Sequence, residues 1–153
     1  MTSIKPCLWF DNRIDEAVEF YTKTFKNAKV TNITRAAPGQ PAFTAEFELE
    51  DQKFMALGGN PRFQFTESVS FFVTCADQAE VDHFWNTMTA DGGEESQCGW
   101  LKDRFGLSWQ IVPKQIFETV MGPDRAGAQR AMQAMMGMRK LVVADLQKAY
   151  AGG

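Results

Sequence analysis

Of the side chains able to do acid–base or metal chemistry, the 153-residue chain holds 19 carboxylates and three cysteines but almost no histidine. His83 is the sole histidine. With one imidazole, no Ser/His/Asp arrangement is visible. It falls within "QAEVDHFWNTMTADGG", a helical pattern, on the outer layer. Cys7, Cys75 and Cys98 have no CxxC spacing and are odd in number. In a reducing compartment they read as small buried hydrophobes. Glu94–Glu95 follow Gly93 and read as a solvated strand start. Lys102–Arg104, "KDR", reads as a charged hairpin turn facing solvent, with Arg104 placed to close over an anion. "GGN" at Gly58–Asn60 runs into Pro61 with no helix after it, so nothing matches a glycine-rich nucleotide or S-adenosylmethionine turn. Gln110, in mid-strand within "LSWQIVP", offers a neutral amide. Two roles stand open for it: a buried amide satisfied by backbone, or a ligand contact.

The bulk composition narrows the partners. Hydrophobic residues make up 44% and aromatics 12%, enough for a core. A formal net charge of −3 with scattered basic residues argues against a nucleic-acid footprint. No run of about 18 apolar residues exists to span a membrane, and the N-terminus lacks a signal-peptide layout. The expectation is a cytoplasmic protein.

Two passes along the chain find one pattern repeated. "IKPCLWF" is strand-like and ends at the turn residues Asp11–Asn12. "DEAVEFYTKTF" places Ala17, Val18, Phe20, Tyr21 and Phe25 at helical spacing. "AKVTNITR" is a strand and "APGQP" a loop. "AFTAEFELE" alternates, with Phe43, Ala45, Phe47 and Leu49 on one face and Thr44, Glu46, Glu48 and Glu50 on the other. "KFMALGG" closes a β-α-β-β-β unit. From Val69 the order begins again: strand "VSFFVTCA", a helix burying Val81, Phe84, Trp85 and Met88, strand "EESQCGWLK", turn "DRFG", strand "LSWQIVP". "AVEFY" echoes "EVDHFW" at an offset of about 64 residues. The predicted boundaries are a first module over 1–60, a linker with a short edge strand over 61–68, a second module over 69–113, and a helical tail over 114–153. In the tail, "KQIFETVMG", "PDRAGAQRAMQAMMGMRK" and "VADLQKAYAGG" read as helices. Met132, Met135 and Met136 form a stripe suited to core or to a subunit contact. The fold class is α+β: paired βαβββ modules whose curved mixed sheets enclose a cavity, plus the helical extension.

The βαβββ repeat resembles the vicinal-oxygen-chelate superfamily, the glyoxalase and bleomycin-resistance fold. "PCLWFDNRIDEAVEFY", "FMALGG", "CGWLKDRFGLSWQIVP" and "AQRAMQAMMGMRKL" are similar to its PhnB-like branch, often labelled after a demethylubiquinone methyltransferase. Metal enzymes of the superfamily hold a divalent ion on a His/Glu set. The resemblance puts those ligand positions at Pro6, at Met55 or Ala56, at Ser70 or Phe71, and at Gln110. Proline and alanine offer no side-chain ligand atom, methionine and phenylalanine suit a hard cation poorly, and an amide is weak beside a carboxylate. The expectation is no metal and no cofactor. By alternation, Ser108, Gln110 and Val112 share the cavity face opposite Trp109, and Pro6 and Leu8 face inward while Cys7 and Trp9 meet the helix layer. The pocket candidates are Gln110, Ser108, Ser70, Pro6, Leu8 and Met55.

Three functions fit these residues. One is a metal-independent binder of a small apolar or aromatic molecule. Another is an enzyme of the superfamily with altered chemistry, a lyase, dioxygenase or methyltransferase-labelled protein. The third is an assembly role through the methionine-rich tail. The missing carboxylates and histidines at the implied ligand positions favour the first over the second. A homodimer is expected, with the tail at the interface or bracing the sheets.

Overall fold

The computed structural model describes residues 1–153. The chain forms two compact units, 1–64 and 65–153. No helix is long and apolar enough to cross a membrane.

The first unit contains β1 (Cys7–Trp9), α1 (Ile14–Thr24), β2 (Ala28–Arg35), β3 (Ala42–Leu49) and β4 (Gln52–Leu57). Its sheet runs β1-β4-β3-β2. β1 lies parallel to β4, and the other pairings are antiparallel. Acidic Asp15 and Glu16 open α1 and Lys23 closes it, each charge matched to its end of the helix dipole. Ile14, Ala17, Val18 and Tyr21 form its buried stripe. Tyr21 stacks on Phe47, and Phe47 on Phe54. Burying each such side chain contributes about 1.5–3 kcal/mol.

The second unit repeats the order: β5 (Ser70–Cys75), α2 (Gln78–Thr89), β6 (Glu94–Glu95), β7 (Trp100–Lys102) and β8 (Ser108–Pro113). Its sheet, β5-β8-β7-β6, has the same topology, again with first and last strands parallel. The helices start at Ile14 and Gln78, in line with the sequence echo. Asp77 caps α2 by accepting from Glu80 N, and Val81, Phe84, Trp85 and Met88 are buried as the periodicity predicts.

Three elements differ from the sequence reading. "EESQCGWLK" is two short strands, because Cys98 (φ 57°) and Gly99 (φ 86°) take consecutive left-handed conformations that break it. No strand forms between Gly58 and Val69. "KQIFETVMG" is only a 3-10 turn over Lys114–Phe117.

The tail belongs to the second unit. Its helices are α3 (Arg125–Met136), capped by Asp124, and α4 (Val143–Ala151). Val112, Ile116, Leu141 and Leu146 form a buried cluster that Met135 and Met138 pack against. Gln78 ties the tail to α2: it donates to Leu141 O and accepts from Val143 N.

Candidate functional site

In the second unit, α2 covers one face of the sheet. Trp109 (2% exposed), Leu101 and Ile111 lie on that face. The "KDRFG" turn locks Trp109 in place. Asp103 is 2% exposed, and its carboxylate accepts from Phe105 N (2.9 Å), Leu107 N (3.1 Å) and Trp109 Nε1 (2.9 Å). The expectation that this turn simply faces solvent is therefore wrong for Asp103. Its carboxylate is the acceptor that lets a buried indole N–H and two turn amides leave water. Asp103 followed by Gly106 at φ 83° is the available sequence signal, an Asp-x-x-Gly turn. Arg104 pairs with Asp91 at 3.2 Å.

The opposite face carries the predicted residues in two rows set by strand register. Glu94, Lys102, Ser108 and Ser70 form one row across β6, β7, β8 and β5. Trp100, Gln110 and Phe72 form the next. Gln110 Nε2 donates to Ser70 Oγ at 3.0 Å. Phe72 is half-exposed, so this row is open to solvent. Ser108 Oγ is buried and has no hydrogen-bond partner. Lys102 pairs with Glu67, which raises the ammonium pKa first through that hydrogen bond and then through charge, with a smaller contribution from Glu94. The same contact lowers the Glu67 carboxyl. Glu67, Glu94, Glu95, Ser96, Trp100, Lys102 and Ser108 line a pocket of about 190 Å³. The Glu67–Lys102 pair was not legible in sequence, since the two lie far apart and only the fold joins them.

In the first unit the alternation on β1 is one residue out from the expectation. Leu8 pairs in register with Ala56, which pairs with Ala45, and all three are buried on the α1 face. Cys7 and Trp9 are on the opposite face with Met55, where Phe63 meets the Trp9 ring edge-on at 5.3 Å. The amphipathic indole explains this. Trp9 Nε1 donates to Asp11 Oδ1 (2.9 Å) and Asn60 O (3.1 Å) at the surface, while Phe10 supplies the apolar contact with Tyr21. Leu8 is therefore core, not a pocket residue. Pro6 is half-buried just before β1, its carbonyl accepting from Met55 N at 2.8 Å.

Neither unit gathers three or more His, Cys, Asp or Glu side chains into a metal-binding group. At the ligand positions the resemblance implies, the donor chemistry does not fit a hard divalent ion. Pro6 has no ligand atom, Met55 offers a thioether, and Ser70 and Gln110 bond to each other. Glu46, beside Met55 in register, is paired to Lys5 at 2.5 Å. A glycine cradle for S-adenosylmethionine is not present at "GGN" either. A Cβ on Gly58 would lie 2.2 Å from Asp11 O, so this glycine serves close packing under Asp11 and Ile14. His83 is exposed on α2 against Phe84.

A family model described as 3-demethylubiquinone-9 3-methyltransferase matches residues 2–112. Among solved structures, a PhnB protein from Bacillus cereus is 29% identical with a TM-score of 0.66, the match covering 73% of this chain and 99% of that one. A fosfomycin resistance protein, FosX, from Listeria monocytogenes, solved with Mn(II) and sulfate, is 13% identical with a TM-score of 0.51, covering 71% and 89%. A glyoxylase/bleomycin resistance protein/dioxygenase domain from Frankia sp. is 10% identical with a TM-score of 0.50, covering 71% and 94%. A search of curated proteins finds no match. The last two structures bear on the fold alone.

Proposed function

Since the chain belongs to the 3-demethylubiquinone-9 3-methyltransferase family, the PhnB-like branch of the glyoxalase/bleomycin-resistance fold, we propose that it is a metal-independent binder of a small apolar or aromatic molecule. The observation that carries this reading is the Gln110–Ser70 pair. It sits where the resemblance puts metal ligands, yet it offers an amide between Trp100 and Phe72 in its own row and a hydroxyl in the row beside it. A few polar groups among aromatic walls is the make-up of a small-molecule site. Elemental analysis is expected to find no stoichiometric metal. About one Mn, Zn, Ni or Fe per chain, lost on Gln110→Ala, refutes the reading. A thermal-shift screen of neutral aromatic compounds should yield ligands whose stabilisation falls in Gln110→Ala.

The same reading includes a homodimer. Leu146 and Met135 pack inside the tail, but Met132 (41%) and Met136 (64%), one turn apart on α3, are exposed and supply an apolar face. Light scattering is expected to give twice the 17.2 kDa chain mass at micromolar concentration, and Met136→Glu to lower it. A monomer mass across a wide dilution range rejects the dimer.

A further inference from the structure

Ser108 poses a problem that the protein itself does not solve. Its side chain is 1% exposed, and its hydroxyl finds no partner. A buried hydroxyl without a hydrogen bond has given up water and gained nothing in return, so it is destabilising. Ser108 lines the 190 Å³ pocket, so a group entering there can supply the missing bond.

The charges around that hydroxyl decide the ligand's sign. Lys102 is paired to Glu67, and the two cancel. Glu95 is already engaged: Oε1 accepts from Trp85 Nε1 at 2.7 Å, and Oε2 lies 3.5 Å from Arg139. Glu94 remains. It sits opposite Lys102 in register, and its carboxylate leaves the pocket with one net negative charge. Trp100 adds an indole, whose face attracts cations. We infer that this pocket takes the ammonium group of a small organic amine, with Ser108 Oγ accepting an N–H, Glu94 balancing the charge and Trp100 meeting the adjoining carbons. The Gln110 row next to it would receive the amine's apolar part. The inference rests on the small-molecule reading above and names the ligand class for that face. The volume restricts the polar end to a compact group, since 190 Å³ lies below the range of drug-sized sites.

Butylammonium chloride, sodium butyrate and butanol, titrated against the full chain by amide NMR, test this. Butylammonium is expected to give saturable shifts at the Ser108 amide and the Trp100 indole, weakening as salt rises. Ser108→Ala and Glu94→Gln should each weaken it about fivefold. Lys102→Met removes the competing cation and should tighten it about fivefold, a gain that damage to the fold would not produce. Butyrate saturating in place of butylammonium overturns the inference. So does butylammonium affinity unchanged in Ser108→Ala and Glu94→Gln, or loosened in Lys102→Met. If a neutral aromatic ligand binds in a Gln110-dependent way while butylammonium gives no shift, the amine assignment fails and the binding reading stands. If neither binds, both fail.

Discussion

Asp103→Ala should destabilise the second unit by about 3 kcal/mol, from orphaned donors costing about 1–3 kcal/mol each. The structure supplies the terms. Three donors lose their acceptor: Phe105 N, Leu107 N and Trp109 Nε1. Leu107 and Trp109 are 2% exposed, so water cannot replace the lost bonds there. Phe105 is only half-buried, and its amide can hydrate. Two orphaned donors thus set a range of about 2–6 kcal/mol. Relief of the buried carboxylate's own desolvation, several kcal/mol for an ion, pulls the result toward the lower half.

Asp103→Asn separates the contributions. Its one oxygen can still serve the turn amides, but an NH₂ then faces the Trp109 N–H, so about 2 kcal/mol should be lost. Trp109→Phe removes the indole donor. A cycle of Asp103→Asn with Trp109→Phe should show a coupling of about 1–2 kcal/mol. The assay is urea unfolding followed through the Trp85 indole resonance, which lies in the second unit and is kept in every variant, with hydrogen exchange at Leu107 as a local check. The two units need not unfold together, so a probe inside the second unit is required. If Asp103→Ala lies within about 0.5 kcal/mol of wild type, the range of ordinary surface substitutions, the turn is not held as described.

Two further predictions concern single groups. Asp15 is held below its usual carboxylate value, first by the Arg35 side chain and then by Ala42 N, so its folded pKa lies below the unfolded one. Its stabilisation is present above the ordinary value of 3.8 and is lost as pH falls through the folded pKa; Asp15→Asn should flatten that acid limb of a stability–pH curve, and an unchanged limb refutes this. The Cys75 thiol is pushed up to about 12, chiefly by burial. At pH 8, Ellman's reagent should therefore modify the exposed Cys7 while Cys75 stays intact by mass spectrometry until the chain unfolds.

The fold was legible because its signals are periodic and repeated. The helical stripe of Ala17, Val18, Tyr21 and Phe25, the alternation in "AFTAEFELE" and the second stripe from Val81 to Met88 each recur in the structure, except that Phe20 is only half-buried and Phe43 is exposed at a strand end. Parity on β8 was legible too, since Trp109 and Gln110 fall on opposite faces as alternation requires. Parity on β1 was not. "CLWF" is apolar throughout, so no polar residue marks its outer face, and only Trp9's hydrogen bonds to Asp11 and Asn60 decide it. Buried Asp103 is missed for a related reason: composition reads "KDR" as solvated, while the deciding partner, the Trp109 N–H, lies six residues on, beyond the turn on β8.

The candidate site was half legible. Gln110, Ser108 and Ser70 were expected on one face, and strand register puts them there. What joins them to chemistry came from sequence-distant pairings. Glu94 meets Lys102 only because Cys98 and Gly99 turn the chain back, and Glu67 reaches Lys102 from the segment before β5. At Gln110 and Ser70, where the resemblance implies metal ligands, the side chains are neutral, while the ionised Glu94 and Lys102 stand in the row of Ser70 and of the unpartnered Ser108 hydroxyl. If the site acts by charge, that charge acts at Ser108 and not at Gln110. Gln110→Ala and Glu94→Gln should accordingly affect different parts of one ligand: the first its neutral body, the second its salt-dependent end.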